Sequence, residues 1–177
     1  MFFIPGQVVS ALTFPGVVVH EIAHQIFCRW LKVPVFEVCY FRLENPSGYV
    51  IHEKPKEPWK NIVIGVGPFF VNTAIGGLVA SMGAIPVIKF HTGSFIDYFF
   101  IWLGVSIATH AFPSTGDASN IWSIIKEKGT GIGLKIIGIP IVLVIYLGTL
   151  LSVVWFDLFY GIAVAMVLPN LLIRLFA

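Results

Sequence analysis

Five consecutive residues, His20-Glu21-Ile22-Ala23-His24, carry the densest chemistry in this chain of 177 residues. On a helix, two histidines four apart share one face, separated by about one turn or ~5.4 Å of pitch. Both imidazoles then reach a single tetrahedral zinc ion. Glu21, beside the first ligand, is left to act as general base on a water held by the metal. Zinc makes that water acidic and polarises a scissile carbonyl. The chemistry expected of the pentapeptide is therefore zinc-dependent hydrolysis of a peptide bond.

These residues sit within an apolar stretch of an apolar chain. Hydrophobic residues make up 57% of it, charged residues 11%, and the mean hydropathy is +0.90. A soluble domain carries about 25% charged residues, so this surface must be solvated mainly by lipid. An ionisable residue at the bilayer centre costs roughly 2.5–3.5 kcal/mol on insertion scales, an expense that a bound metal offsets. Spans of roughly 20 mostly apolar residues are read at about 7–31, 61–86, 96–113, 133–154 and 157–175. The last two are divided at Trp155-Phe156-Asp157, where an aromatic pair beside a carboxylate suits an interfacial turn. No signal-peptide pattern is evident, so the first span is expected to stay in the mature protein. The expected fold is an all-α integral membrane domain over 1–177 with about five transmembrane helices. Its catalytic core covers about 7–120, and further helices follow at about 133–175.

Alternating spans with the N-terminus outside place 29–60, 114–135 and the C-terminus in the cytoplasm. Arg29, Lys32, Arg42, Lys54, Lys56, Lys60, Lys126, Lys128, Lys135 and Arg174 then lie inside, and only Lys89 outside. That is a positive-inside distribution. Cys28 and Cys39 fall on the reducing side, where a disulfide is not expected. Within the first cytoplasmic segment, Val35 to Phe41 and Gly48 to His52 are rich in strand formers and flank Asn45-Pro46-Ser47, which predicts a small β-hairpin. Ile121 to Lys128 reads as a short amphipathic surface helix with Trp122 at the interface.

A catalytic zinc usually has three protein ligands and one open position. Cys28 continues the histidine stripe but lies about 12 Å along the axis from His20, too far to share its metal. Asp97, Asp157 and His91 fall toward the outer face, and Glu37, Glu44, Glu53, Glu57 and His52 belong to the cytoplasmic loop. The segment from Thr109 to Ala118 remains, and the third span delivers it at the depth of the pentapeptide. Pro113 breaks the helical hydrogen bonding and Gly116 permits a tight turn, so Asp117 can fold back as the third ligand. His110 has three readings: a donor to the substrate carbonyl or oxyanion, the ligand in place of Asp117, or a buried histidine bonded to neighbouring backbone.

The pentapeptide in a membrane span, followed by Pro-x-x-x-Asp at the end of a later span, resembles the site-2 protease family of intramembrane zinc metalloproteases. The resemblance covers roughly residues 10–120. It implies a three-helix metalloprotease core with zinc-binding His20 and His24 on the first helix and Asp117 completing the site from the third. Gly67-Pro68-Phe69-Phe70-Val71-Asn72 is similar to the Gly-Pro and asparagine of the family's middle helix, which implies that Asn72 helps to hold substrate. A β-hairpin after the first core helix is also common there. The chain departs from the family at His110-x-x-Pro113 and Asp117-Ala118, where Asn-x-x-Pro and Asp-Gly are usual. Asn72 also stands one place further from its proline.

The expected function is hydrolysis of a peptide bond in or near a membrane segment of a protein substrate. Glu21 acts as base, His110 and Asn72 assist, and Zn²⁺ is the cofactor. An unwound substrate could pair with the hairpin edge. A membrane metal-ion transporter is one rival, but it calls for ionisable residues through the depth of several spans, and here they cluster on the first three. A non-catalytic assembly protein with a zinc site is another. A membrane-protein substrate and the lipid bilayer are the expected partners, without nucleic acid, and a prokaryotic plasma membrane is the expected location.

Overall fold

A computed structural model of the chain describes residues 6–176. The first five residues, and with them the side expected for the N-terminus, lie outside that range. In chain order the elements are α1 (Gly6–Leu12), α2 (Phe14–Trp30), β1 (Val35–Cys39), β2 (Tyr49–His52), α3 (Pro58–Phe90), α4 (Phe95–Thr109), α5 (Thr115–Ile125), α6 (Ile132–Ser152) and α7 (Phe156–Phe176). The structure is mostly helical, and the hairpin is a two-stranded antiparallel sheet that pairs Cys39 with Tyr49 and Val35 with His52.

Helices α3, α6 and α7 are long and apolar enough to cross a membrane, and this marks the chain as a membrane protein. The first expected span is not one straight helix. It breaks at Thr13 into α1 and α2, which are bent by 85° and are long enough to cross a membrane only as a pair. Pro15 is the cause: it lies in the first turn of α2, lacks an N–H and clashes with the carbonyl four residues back, so the two helices cannot be continuous. Helix α4, with 15 residues, is apolar but shorter than a usual span.

The 33 residues of α3 form the axis of the molecule. Helix α2 runs antiparallel along its first half: Cys28 packs with Ile64, and the Gly16 carbonyl meets Asn72. Helix α4 runs antiparallel along the second half. A Cβ on Gly104 would stand 2.4 Å from the Ala80 nitrogen, so only glycine lets the two backbones meet there. Helix α5 lies beside the start of α3, with the Asn61 amide donating to the Asn120 carbonyl. Ile62, Ala118, Ile121, Ile125, Val142 and Ile145 form the core between α3, α5 and α6. Helix α5 is amphipathic, with Ala118, Ile121, Ile124 and Ile125 buried and Ser119, Asn120 and Ser123 exposed, and it covers 115–125 where 121–128 was expected.

The last two helices differ from expectation in direction. The Tyr160 hydroxyl bonds the Thr73 hydroxyl at 2.7 Å, and Leu168 packs at Gly77, so α7 runs parallel to α3. Helix α6 starts near the N-terminal end of α3, with Gly138 against Ile62 and Ile125, and reaches Phe112 at Gly148. Both helices thus run in one sense, joined by a turn in which Trp155 has φ 68. The Trp155-Phe156-Asp157 break redirects the chain without reversing it, because Phe112 stacks on Phe156 and Tyr160, with centroids at 5.3 and 4.9 Å, and captures the start of α7. Strict alternation fails for this pair. Arg174 consequently stands toward the Lys89 end of the molecule, not with the other basic residues.

Candidate metal centre

His20, Glu21 and His24 lie on α2 and are 7%, 7% and 6% exposed, so they face the interior. His20 donates from Nδ1 to the His110 carbonyl at 2.7 Å, and His24 donates from Nδ1 to the Ile64 carbonyl at 3.0 Å. A carbonyl only accepts, so both Nδ1 atoms carry the hydrogen, and each Nε2 of the neutral ring is left as a lone pair. These two nitrogens face each other at 3.1 Å. Asp117 Oδ1 lies 3.4 Å from His24 Nε2, and the three donor atoms fall within 4.8 Å of one another.

Three lone pairs aimed at one point repel one another unless a cation sits among them. With metal–ligand bonds of about 2.0–2.2 Å, two donors of a tetrahedral zinc lie about 3.3–3.5 Å apart, close to the 3.1 and 3.4 Å separations about His24 Nε2, and the third pair lies within 4.8 Å. Two imidazoles and a carboxylate are a zinc donor set, and three ligands leave a position open. The residues therefore fit the ion. Burial alone would raise the Asp117 carboxyl. Donation from the Ser114 hydroxyl opposes this and favours the carboxylate.

The availability of the Ile64 carbonyl follows from the sequence. In a helix it would accept from the N–H of residue 68, which is Pro68 and has none. Pro68 thus leaves a free acceptor in the middle of α3, and His24 takes it. Pro113 lies beyond the end of α4, which stops at Thr109. The turn that was expected at Gly116 is made by residues 110–114, and Gly116 lies in the first turn of α5.

His110 does not bring its ring into the cluster. Its Nε2 lies 2.7 Å from the Thr13 hydroxyl, which itself donates to the Val9 carbonyl. The ring is therefore the donor and ties the end of α4 to the α1–α2 bend. The His110 main-chain carbonyl is what touches the site, by accepting from His20. Asn72 is also turned away from open space. It is wholly buried, and its amide nitrogen faces the carbonyls of Gly16, Ile107 and His110, each at 3.1 Å. It fastens α2 and α4 to α3 at the level of the site.

Glu21 lies under the hairpin. A Cβ on Gly48 would stand 2.7 Å from Glu21 Cγ and 2.9 Å from Oε1, so the lack of a side chain lets the start of β2 cover the carboxylate. Phe41, just beyond β1, stacks on Phe14 at 5.7 Å. Thr13, Gly48, Ser114 and the two carbonyls were not singled out from sequence. Of these, only Ser114 carries a readable signal, the Ser-x-x-Asp spacing of a capping box.

A helical membrane protein with His-Glu-x-x-His and an acidic third donor around one point belongs, by its site, among the zincin-like metallopeptidases. The chain belongs to the DUF3267 family, described as "Putative zincin peptidase", whose model matches residues 13–132, more than half of its length. That family implies zinc, and His20, His24 and Asp117 form the site that could hold it. No curated protein and no solved structure matches the chain.

Proposed function

We propose that the protein is an intramembrane zinc metallopeptidase that cuts a peptide bond in or near a membrane segment of a protein substrate. The observation that carries this reading is the convergence of His20 Nε2, His24 Nε2 and Asp117 Oδ1, with Glu21 next to them and outside the donor set. A carboxylate that holds no metal but stands one residue from a ligand suits a general base. When bound, zinc supplies Lewis acidity toward water and toward the scissile carbonyl. Glu21 takes a proton from the attacking water on a carboxylate oxygen and delivers it to the departing amine nitrogen as the C–N bond breaks. The exposed residues Ser114, Thr115 and Gly116, beside Asp117, offer water a route to the site.

The hairpin suits an extended substrate. Its backbone edges can pair with an unwound segment, and Gly48 brings β2 against Glu21. The bent α1–α2 pair and the short α4 serve as spans beside α3, and α6 and α7, running in one sense, together carry the chain across to the Lys89 end. The end that carries Arg29, Lys32, Arg42, Lys54, Lys56, Lys60, Lys126, Lys128 and Lys135 faces the cytoplasm, and Lys89 and Arg174 face the opposite side. A prokaryotic plasma membrane suits this arrangement.

The test is Glu21→Gln in protein reconstituted with fluorophore-labelled single-span peptides. Zinc should remain bound and cleavage should fall to background. Cleavage at the wild-type rate by the variant would eliminate Glu21 as base and with it this mechanism.

A further inference from the structure

The chain builds the same helix-capping device twice. At the start of α4, the Ser94 main-chain N–H and hydroxyl both donate to Asp97 Oδ2, at 2.8 and 2.6 Å, and the Asp97 N–H donates back to the Ser94 hydroxyl at 3.3 Å. At the start of α5, Ser114 and Asp117 repeat the pattern at 2.8, 2.7 and 3.2 Å. Both copies follow the Ser-x-x-acid spacing of a capping box. They differ in what lies beyond the box. Asp97 joins no group of metal-binding side chains among the described residues, whereas Asp117 groups with His20 and His24.

A carboxylate can hold a metal through one oxygen or both. In Asp117, Oδ2 already accepts two hydrogens from Ser114, and Oδ1 is the oxygen 3.4 Å from His24 Nε2. We infer that Ser114 is a positioning residue of the metal centre, and that its N–H and hydroxyl fix Asp117 as a one-oxygen ligand and so keep a further coordination position open. The inference rests on the metal-centre reading proposed above. A capping box built for helix stability is here also a ligand clamp, and it sets the Asp117 orientation before any ion arrives. Without the hydroxyl, Oδ2 keeps only the Ser114 N–H and turns more readily toward the metal, into the position that water and substrate need.

The test uses the full chain in detergent micelles, stripped of metal. It is titrated with zinc against a chromophoric chelator, and with Co²⁺ for its visible spectrum. Glycine is accepted at an N-cap nearly as well as serine, so Ser114→Gly removes the hydroxyl at little cost to α5. This variant should bind zinc about 10–100-fold more weakly, the usual effect of losing a partner that orients a ligand. Its Co²⁺ bands should weaken as the second oxygen raises the coordination number. Ser114→Thr should restore both properties, and Ser94→Gly, which removes the same contact at the other box, should change neither. Ser114→Ala carries the same expectation as Ser114→Gly should the glycine variant not fold. Wild-type zinc affinity and Co²⁺ spectrum in Ser114→Gly would overturn the inference, as would an equal loss in Ser94→Gly. A wild-type chain that binds no zinc would instead refute the metal-centre reading, so the two failures are distinguishable.

Discussion

His20 and His24 face each other Nε2 to Nε2 across 3.1 Å while their Nδ1 atoms donate to the carbonyls of His110 and Ile64. Two lone pairs this close call for a cation between them, and Asp117 supplies negative charge on the same side. Removing a ligand should therefore cost more than removing a group that merely orients one. His24→Ala and Asp117→Ala should each weaken zinc binding by more than the roughly 10–100-fold typical of orienting partners, read by metal content after dialysis against a chelator. A variant of either kind that holds wild-type zinc would remove that residue from the donor set.

His110 offers a sharper distinction. The carbonyl that meets His20 belongs to the main chain, so His110→Ala should retain zinc. It should lose stability through the bond to Thr13, by about 1–3 kcal/mol for an unsatisfied buried partner. Thermal unfolding in detergent together with metal content separates these effects. Loss of zinc with little loss of stability would make the imidazole a ligand after all.

Pro68 should matter to the metal although it touches none. In Pro68→Ala the new N–H competes for the Ile64 carbonyl, which His24 now uses. Zinc affinity should fall, by up to about 100-fold, while the helix itself gains a hydrogen bond. Unchanged affinity would mean that the carbonyl serves both donors without loss.

Asn72 should report on helix packing. Asn72→Asp turns a carboxylate toward the three carbonyls of Gly16, Ile107 and His110, and an unmatched buried acceptor costs about 1–3 kcal/mol, more when charged. The melting temperature should drop further than in the similarly sized Asn72→Leu. If Asn72→Asp keeps its stability and loses only turnover, the residue holds substrate instead of helices.

What the sequence displays and what it hides follow from the range of the forces involved. The pentapeptide, the hairpin and Asp117 are local: spacing, strand formers and the proline before a capping box write them into short stretches. The break of the first span was equally local, because Pro15 stands in plain view, but uniform hydrophobicity across 7–31 masked it. The courses of α6 and α7 were not local at all. Hydropathy marks a turn at Trp155-Phe156-Asp157 but not its direction, which the distant rings of Phe69, Phe112 and Tyr160 decide. The part of His110 that touches the site was hidden for a related reason. Its residue type drew attention to the ring, while the atom that meets the site is a main-chain oxygen, which every residue possesses.

Zinc K-edge X-ray absorption of the purified chain tests the centre most directly, because it counts imidazoles. Two imidazole nitrogens with oxygen donors at about 2.0–2.2 Å are expected, from His20, His24 and Asp117. A third imidazole, or a chain that carries no zinc, would contradict this account.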